Sequence, residues 1–168
     1  MKSWYLIHTK PKQESIAKEN LLRQNYCIYL PMAVTRRRRD GRTKRTVEAL
    51  FPRYLFIHLD DATDDWAPIR STIGVSKLVR FGIIPAKISE DLVAAIKKRE
   101  NEEGIHELQA GDFEEGQKVR IAEGPFEGYE AIFKSKSGQE RAILLLNIAQ
   151  NMSKIQIDID KIESSFSR

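Results

Sequence analysis

The chain has 168 residues and a mass of 19.4 kDa, which suits one ordinary domain or two small ones. Hydrophobic residues make up 41% and charged residues 31%, and no apolar run approaches the roughly 20 residues that span a bilayer, so we exclude a disordered chain and a membrane-spanning one. The net charge is a modest +4, a single cysteine excludes an internal disulfide, and no secretory signal begins the sequence, so we expect a cytoplasmic protein.

Residues that could carry chemistry are sparse. Cys27 lies in an apolar run and is predicted to be a buried structural thiol, and the histidines lack the close spacing of a zinc site. The sequence has no glycine-rich phosphate loop followed by a helix and no nucleophile elbow. We therefore expect a protein that is not an enzyme and that holds no metal or cofactor.

Hydrophobic periodicity and helix caps predict a mixed set of elements in the first hundred residues. In chain order we expect a strand over 4–8, a helix over 13–24, a strand over 26–30, a hairpin over 33–48, a strand over 53–59, a short helix over 66–72, a strand over 75–81 and a helix over 89–98 capped by Ser89. This mixture predicts an α+β fold with a mainly antiparallel sheet sandwiched by helices.

Charge divides the chain into two parts of opposite sign. Residues 1–100 hold 20 Lys/Arg and 11 Asp/Glu, a net of +9, and residues 101–168 hold 8 and 13, a net of −5. The polar, acidic and glycine-containing stretch between them favours a linker. We expect an N-terminal domain over 1–100, a linker over 101–112 and a small C-terminal domain over 113–168, with nucleic acid as a partner of the first.

The predicted hairpin is strongly basic at its tip. Seven Lys/Arg and one acid occupy residues 36–45, around the turn pair Asp40-Gly41. A solvated tip and a polyanion-binding tip are about equally consistent with this run, because a run of charge attracts any polyanion. Recognition of a sequence needs other side chains, and the helix over 13–24 and the turn before it supply them: Lys10, Gln13, Asn20, Arg23 and Gln24.

The C-terminal part is ambiguous. Alternating apolar residues predict strands around Val119 and Ile121, Ala131 and Phe133, and Ile155 to Ile159, as in a very small barrel. The apolar stretch over 142–150 suits a helix equally well.

Several motifs carry a resemblance to a known family. Residues 116–133 (GQKVRIAEGPFEGYEAIF) resemble a KOW motif, and residues 4–6 (WYL), 50–56 (LFPRYLF) and 72–75 (TIGV) resemble the N-terminal domain of the NusG family. Together these motifs cover nearly the whole chain. Residues 144–147 (LLLN) are similar to the RfaH-type specialised paralogues of that family.

The resemblance implies an operon-specific transcription antitermination and elongation factor that binds the clamp region of RNA polymerase and suppresses pausing and termination. Positions that match the polymerase-facing apolar surface are Leu6, Phe51, Tyr54, Phe56, Val93 and Ile96. Positions that match contacts to the single-stranded non-template DNA are Lys10, Gln13, Arg23, Gln24 and Thr72. Asn20 and Ile73 replace a histidine and an arginine of the family pattern, so the same DNA element is not implied.

The RfaH-type resemblance also implies two states of the C-terminal domain. In the masked state it is a helical hairpin packed on the N-terminal domain, and Glu48 and Arg141 match an interdomain ion pair that locks it. In the released state it is a five-stranded KOW β-barrel that binds a small-subunit ribosomal protein and couples transcription to translation. Pro125 would break a helix, so a helical hairpin must begin late in this chain.

Two alternatives stay open alongside a masked monomer. The first is a constitutively open NusG-like elongation factor with a permanent barrel. The second is a general RNA- or ribosome-binding KOW protein that uses the basic hairpin as its main contact.

Overall fold

The computed structural model of the chain describes residues 1–108, 127–135 and 137–166. Its strands within those ranges are β1 (Lys2–Thr9), β2 (Cys27–Tyr29), β3 (Met32–Arg39), β4 (Arg42–Ala49), β5 (Tyr54–Asp60), β6 (Val75–Leu78), β7 (Arg80–Phe81), β8 (Ile84–Pro85), β9 (Lys87–Ile88) and β10 (Ile105–Glu107). Its α-helices there are α1 (Glu14–Arg23), α2 (Glu90–Lys98), α3 (Glu127–Lys134) and α4 (Gly138–Phe166).

A five-stranded antiparallel sheet organises the N-terminal part. Its order is β2-β5-β1-β6, and β9 also pairs with β1. A second sheet has the order β10-β3-β4, in which β10 runs parallel to β3, and β7 pairs with β8. The predicted α+β class with a mainly antiparallel sheet is confirmed.

Alternation along β1 sends side chains to both faces of the five-stranded sheet. Tyr5 and Ile7 enter one buried cluster, and Trp4 and Leu6 enter another. We call the first cluster the α1-side core, because Ala17 of α1 packs into it; its buried members are Tyr5, Ile7, Ala17, Leu21, Leu30, Ala49, Leu55, Ile57, Leu59, Ile69, Val75 and Leu78.

We call the second cluster the seam. It includes side chains of β1, β5 and α2, and it also includes side chains of α3 and α4. Its buried members are Trp4, Leu6, Ala33, Leu50, Phe51, Phe56, Val79, Ala86, Ile88, Leu92, Val93, Ile96, Tyr129, Ile132, Leu145 and Ala149. Helices therefore cover both faces of the sheet.

Several local predictions are confirmed. The hairpin turns at Asp40 and Gly41, whose φ values of 54° and 74° are the positive pair that a tight two-residue turn requires. The backbone N–H of Leu92 donates to Ser89 Oγ at 3.2 Å, which is the predicted cap of α2.

Other local predictions are wrong. The helix over 66–72 is only a 3-10 turn at Ile69–Ser71, and the strand over 75–81 ends at Leu78 before β7 pairs separately. Cys27 is exposed, because β2 is the terminal strand of its sheet. Residues 105–107, which lie within the predicted linker, form β10 beside β3.

From residue 127 to residue 166 the described chain consists of α3 and α4, with residues 135 and 137 between them. Ala131 and Phe133 lie in α3, and residues 155–159 lie in α4, so the strands predicted there are wrong for this state. The apolar stretch over 142–150 lies in α4, in the helical conformation that was one of its two interpretations. α3 begins at Glu127, two residues after Pro125, and the predicted strand at 119–121 and Pro125 itself lie outside the described residues.

No helix in the described ranges combines the length and apolar character needed to cross a membrane.

Candidate functional site

The side chains proposed by resemblance as one apolar face do lie together. Leu6, Phe51, Phe56, Val93 and Ile96 are all buried in the seam, and Tyr54 packs against it partly buried. Phe51 and Phe56 meet edge to face with ring centroids 5.9 Å apart. Three different elements and the loop before β5 supply these residues, so only the folded chain assembles the face.

The C-terminal helices complete this apolar face. Ile132 of α3 and Leu145 and Ala149 of α4 have no solvent exposure and share the seam with the sheet. In α4 the positions 145 and 149 lie one turn apart on one side of the helix, which is the spacing of a packing stripe. The face is therefore covered in this structure.

Polar and aromatic contacts border the seam. The hydroxyls of Ser89 and Tyr129 lie 3.1 Å apart, which links the amino end of α2 to α3. The Arg99 guanidinium lies 3.9 Å from the centroid of the Phe133 ring, a cation–π contact. Phe133 also stacks on His106 of β10, with the ring centroids 6.0 Å apart and the ring planes 20° from parallel.

Arg141 is the largest fully buried side chain of the described residues. Its Nε donates to the Leu50 carbonyl at 2.7 Å, and its Nη1 donates to the Ser135 carbonyl at 3.4 Å. Its Nη2 is buried and has no hydrogen-bond partner among the described residues. The bond to Leu50 ties α4 to the loop before β5.

The expected ion pair between Glu48 and Arg141 is not formed in the described part of the chain. Burial lowers the pKa of the Arg141 guanidinium, and the charges of Glu48 and then Glu140 oppose that shift. Glu48 therefore acts on Arg141 as a nearby charge, while a backbone carbonyl takes the direct bond. Sequence matching finds the two residues but not the carbonyl, because any residue type supplies one.

A glycine sets the distance between α4 and the N-terminal domain. A Cβ placed on Gly138, the first residue of α4, would lie 2.5 Å from Pro52 Cγ and 2.8 Å from Pro52 Cδ. Such distances are far inside van der Waals contact, and the proline ring is rigid. A side chain at this position would push the helix away from Pro52.

His106 is a buried group that sequence reasoning missed. It is 2% exposed, and its Nε2 is 3.9 Å from Glu100 Oε1. Burial, assisted by the charges of Arg141 and Arg99, lowers the pKa of His106 to about 4. Nothing in the sequence signals this environment, because α4 brings Arg141 to it from 35 positions along the chain.

A polar surface lies on the α1 side of the molecule. We call it the polar face; it comprises Lys10, Gln13, Asn20, Arg23, Gln24 and the loop over 72–74. Lys10 is exposed beside the turn that leads into α1, and its N–H donates to the Gly74 carbonyl at 2.9 Å. Gly74 has a φ of 93°, and a Cβ on it would lie 2.7 Å from the Ala17 nitrogen. This close approach holds the loop over 72–74 against α1, so Thr72 of the loop lies beside the predicted DNA-contacting positions at the end of α1.

Hydrogen bonds fix several side chains of the polar face. Gln24 Nε2 donates to Thr72 Oγ1 at 2.8 Å, and that hydroxyl donates to the Pro68 carbonyl at 2.9 Å. Thr72 is itself buried, so it orients Gln24 and offers little surface of its own. Arg23 is exposed and pairs with Glu19 at 2.6 Å, an exchangeable surface contact. Gln13 is half-buried at the start of α1.

The two departures from the family pattern also lie on this face. Asn20 Nδ2 donates to the Ile16 carbonyl at 3.0 Å and to the Ile73 carbonyl at 3.4 Å. Ile73 is 70% exposed. The face therefore presents an apolar side chain between its polar groups.

The comparisons with known proteins agree on one family. A family model described as "Transcription termination factor nusG" matches residues 2–97. The transcription termination/antitermination protein NusG of Thermus thermophilus is 31% identical over 140 residues, which covers 73% of this chain and 76% of that protein. The NusG of Staphylococcus aureus is 24% identical over 173 residues, which covers 96% of this chain and 95% of that protein.

A solved structure described as "Domain interaction in Thermotoga maritima NusG" aligns with a TM-score of 0.41 and 21% identity, over 71% of this chain and 69% of that chain. The family model spans more than half of the chain, and the Thermus relative exceeds 30% identity over more than two thirds of it. The chain therefore belongs to the NusG family of transcription termination/antitermination proteins.

Proposed function

We propose that this member of the NusG family is an operon-specific antitermination factor of the RfaH type, which docks on the clamp region of RNA polymerase through the apolar face of its N-terminal domain. The observation that supports this most is the seam, where the six matched positions meet Ile132, Leu145 and Ala149 of the C-terminal helices. A face with that many aromatic and aliphatic side chains needs a partner. In the proposed resting state, α3 and α4 are that partner, and polymerase replaces them.

The packing of α3 and α4 over the matched apolar positions supports this proposal over a constitutively open factor. In a permanent barrel these apolar side chains would fill the barrel interior, whereas here they pack against the matched apolar positions of the N-terminal domain. Arg141 and Gly138 add to the fit, one by its bond to the Leu50 carbonyl and the other by its close approach to Pro52. The proposed lock is thus a guanidinium–carbonyl bond, with the Glu48 charge in support.

A released C-terminal domain completes the proposed cycle. In that state residues 113–168 form a KOW barrel that binds a small-subunit ribosomal protein, which would link transcription to translation. The support for this step is the KOW resemblance of residues 116–133, a region rich in residues that suit strands and turns.

The proposed contact with the non-template DNA strand uses the polar face. Exposed Lys10 and Arg23 are placed to bind phosphate or a base edge, and Gln24 is oriented by Thr72 for amide hydrogen bonds. Ile73 gives the face an apolar side chain on which a base can pack. This mixture suits an unpaired strand whose bases are exposed.

A pair of substitutions in α4 tests the masking. Leu145 has no exposure and Ile143 is 53% exposed, so Leu145→Asp and Ile143→Asp add the same charge to one helix with opposite consequences for the seam. We expect full-length Leu145→Asp to bind transcribing RNA polymerase about ten-fold or more tightly than the wild type, and Ile143→Asp to match the wild type. Equal binding of all three proteins contradicts the proposal.

Elongation complexes with randomised non-template strands test the DNA contact. In the unmasked Leu145→Asp background, Lys10→Ala should weaken binding to all strands alike and lower the salt slope by about one, while Arg23→Ala and Gln24→Ala should relax sequence preference. Lys87→Ala on β9 is the control, since Lys87 is an exposed cation that is not one of the predicted DNA-contacting positions. If each variant lost the same affinity for every strand sequence, the polar face would bind phosphates only and would not recognise bases.

A further inference from the structure

We propose that the basic tip of the β3–β4 hairpin is a second nucleic-acid site, which binds the phosphates of duplex DNA with the two-stranded ribbon lying in the major groove. This site is separate from the polar face and does not depend on polymerase docking. It accounts for a charged ribbon that neither the seam nor the polar face uses.

Charge at the tip is concentrated and exposed. Residues 36–45 contain seven Lys/Arg and one acid, and the side chains of Arg36, Arg42, Lys44 and Arg45 are exposed. The acid, Asp40, occupies a turn position with a φ of 54°, where aspartate is one of the few non-glycine residues commonly found. Its presence is therefore explained by the turn.

The strand register places cations opposite one another. Arg36 is opposite Arg45, Arg37 is opposite Lys44, and Arg39 is opposite Arg42. Like charges directly across a ladder destabilise it. The ladder nevertheless runs without a shift from Met32 to the turn, so the ribbon keeps its shape at an electrostatic cost that a polyanion would remove.

Among the tip side chains that the structure describes, few meet a counter-charge from the protein. Of the four hairpin cations whose side chains the structure describes, Arg45 alone forms an ion pair, with Glu103 at 3.6 Å. Both side chains of that pair are more than half exposed, at 52% and 68%, so the pair is weak and exchangeable. Arg36, Arg42 and Lys44 are left for an external anion.

The ribbon also projects from the rest of the fold. β10 pairs with β3 only over Met32–Val34, and in the described part of the chain residues 35–46 pair only within the hairpin. The hairpin belongs to a different sheet from the one that α1 packs on. A long ligand can therefore reach both sides of the tip without touching the polar face.

The shape of the tip selects duplex DNA over other polyanions. The major groove of B-DNA, about 12 Å wide, admits a two-stranded ribbon, whereas the deep, narrow major groove of A-form RNA does not. Residues 36–45 include no aromatic side chain, so the tip lacks the stacking platform that single strands use. Its Lys/Arg side chains are suited to the phosphates that line the groove.

Salt-dependent binding of the full-length protein to a duplex of mixed sequence tests this proposal. The probe is a fluorescent DNA duplex of about 25 base pairs, and the variant combines Arg42→Gln, Lys44→Gln and Arg45→Gln. With about 0.9 units of salt slope per phosphate contact, we expect the slope to fall by about 2 to 3 units and the affinity at low salt to fall ten-fold or more. Replacement of the same arginines by lysine, Arg42→Lys with Arg45→Lys, should keep the slope.

A matched control separates the tip from net charge. Lys87→Gln, Lys98→Gln and Lys154→Gln remove the same three charges from exposed positions elsewhere. If this control lowers the slope as much as the tip variant, only net charge matters and the proposal is wrong. Equal tip-dependent affinity for an A-form RNA duplex or for single-stranded DNA of the same length would also overturn it.

The single substitution Arg42→Gln guards against a folding effect. Its expected loss is about one unit of slope, and its circular dichroism and thermal unfolding should match the wild type. An unchanged slope in this folded variant and in the triple variant contradicts the proposal. Because the assay contains no polymerase, failure of polymerase docking would not change any of these results.

Discussion

The two apolar clusters lie on opposite faces of one sheet, but they are closed in different ways. Every buried member of the α1-side core lies between Tyr5 and Leu78. The seam begins at Trp4 and is completed by Ile132, Leu145 and Ala149, far along the chain. Alternate residues of β1 thus belong to two different cores. One core is completed by residues of the first 78 positions, and the other is completed by helices far along the chain.

This difference teaches that the two faces of one sheet can differ in how easily they open. Residues that close the α1-side core can keep the sheet folded without help from α3 or α4. The seam is held by the contacts of two helices, so it can open at a free energy below that of global unfolding. An apolar face exposed in this way has the composition of an interaction surface.

The largest expected effect comes from placing a charge in each cluster. Leu145→Asp should remove the hydrogen-exchange protection of α4 while β1 and β5 keep theirs, because an unpaired buried carboxylate costs several kcal/mol. Leu21→Asp, in the α1-side core, should remove protection from the sheet as well. Loss of sheet protection in Leu145→Asp would show that the clusters are not separable.

Acid should destabilise the fold through His106, whose ring stacks on Phe133 at the border of the seam. Its pKa is lowered from 6.5 to about 4, so between these pH values the folded state keeps His106 neutral while the unfolded state protonates it. The stability contributed by neutral His106 is complete above pH 6.5 and is lost as the pH falls towards 4, by about 3 kcal/mol in total.

Urea unfolding at several pH values checks this effect against His106→Phe, which keeps an aromatic ring beside Phe133 but cannot be protonated. We expect the stability of the wild type to fall by about 3 kcal/mol more than that of the variant between neutral pH and pH 4. His8, whose pKa burial also lowers, is present in both proteins and cancels. Parallel curves for the two proteins would exclude His106 as the cause.

Arg141→Met should cost about 2 kcal/mol of seam stability, because the Leu50 carbonyl loses a bond from a charged donor. Glu48→Gln should cost under about 1 kcal/mol, since no direct bond is lost. Polymerase binding should rise in the same order, more for Arg141→Met than for Glu48→Gln. A larger effect for Glu48→Gln than for Arg141→Met would indicate that the Glu48–Arg141 ion pair, and not the bond to Leu50, is the main contact that holds α4 in place.

Gly138→Ala should also have a small effect. Alanine favours a helix by up to about 1 kcal/mol, but its Cβ would overlap the Pro52 ring and force α4 outward. We expect a net loss of about 1 kcal/mol in seam stability, measured by exchange of the α4 amides. A gain in protection would show that Pro52 yields to the added methyl group.

The local elements of residues 1–100 were largely predictable from the sequence. Alternation in β1 and β5, the Asp40-Gly41 turn and the Ser89 cap each depend on neighbours in the chain, and each is found where it was expected. The short segments at 66–72 and 75–81 were harder, because tertiary hydrogen bonds and not periodicity fix their ends. β10 was missed because three residues carry too little pattern to stand out.

The candidate site divides in the same way. Matching by resemblance selected the six apolar positions, and the structure brings them together. It also selected Glu48 and Arg141, but the bond that forms runs to a backbone carbonyl, which no sequence pattern encodes. His106 and Gly138 had no signal, since their importance arises from residues that approach from elsewhere in the chain.

The sequence by itself determined the class of fold, the register of the basic hairpin and the family, because these depend on alternation, turn chemistry and motifs read along the chain. Only the tertiary structure decided that residues 142–150 are helical and that they cover the face containing Phe51 and Phe56. The physical reason is that this segment suits helix and strand alike. Its conformation is set by the apolar surface it packs against and not by its own preference.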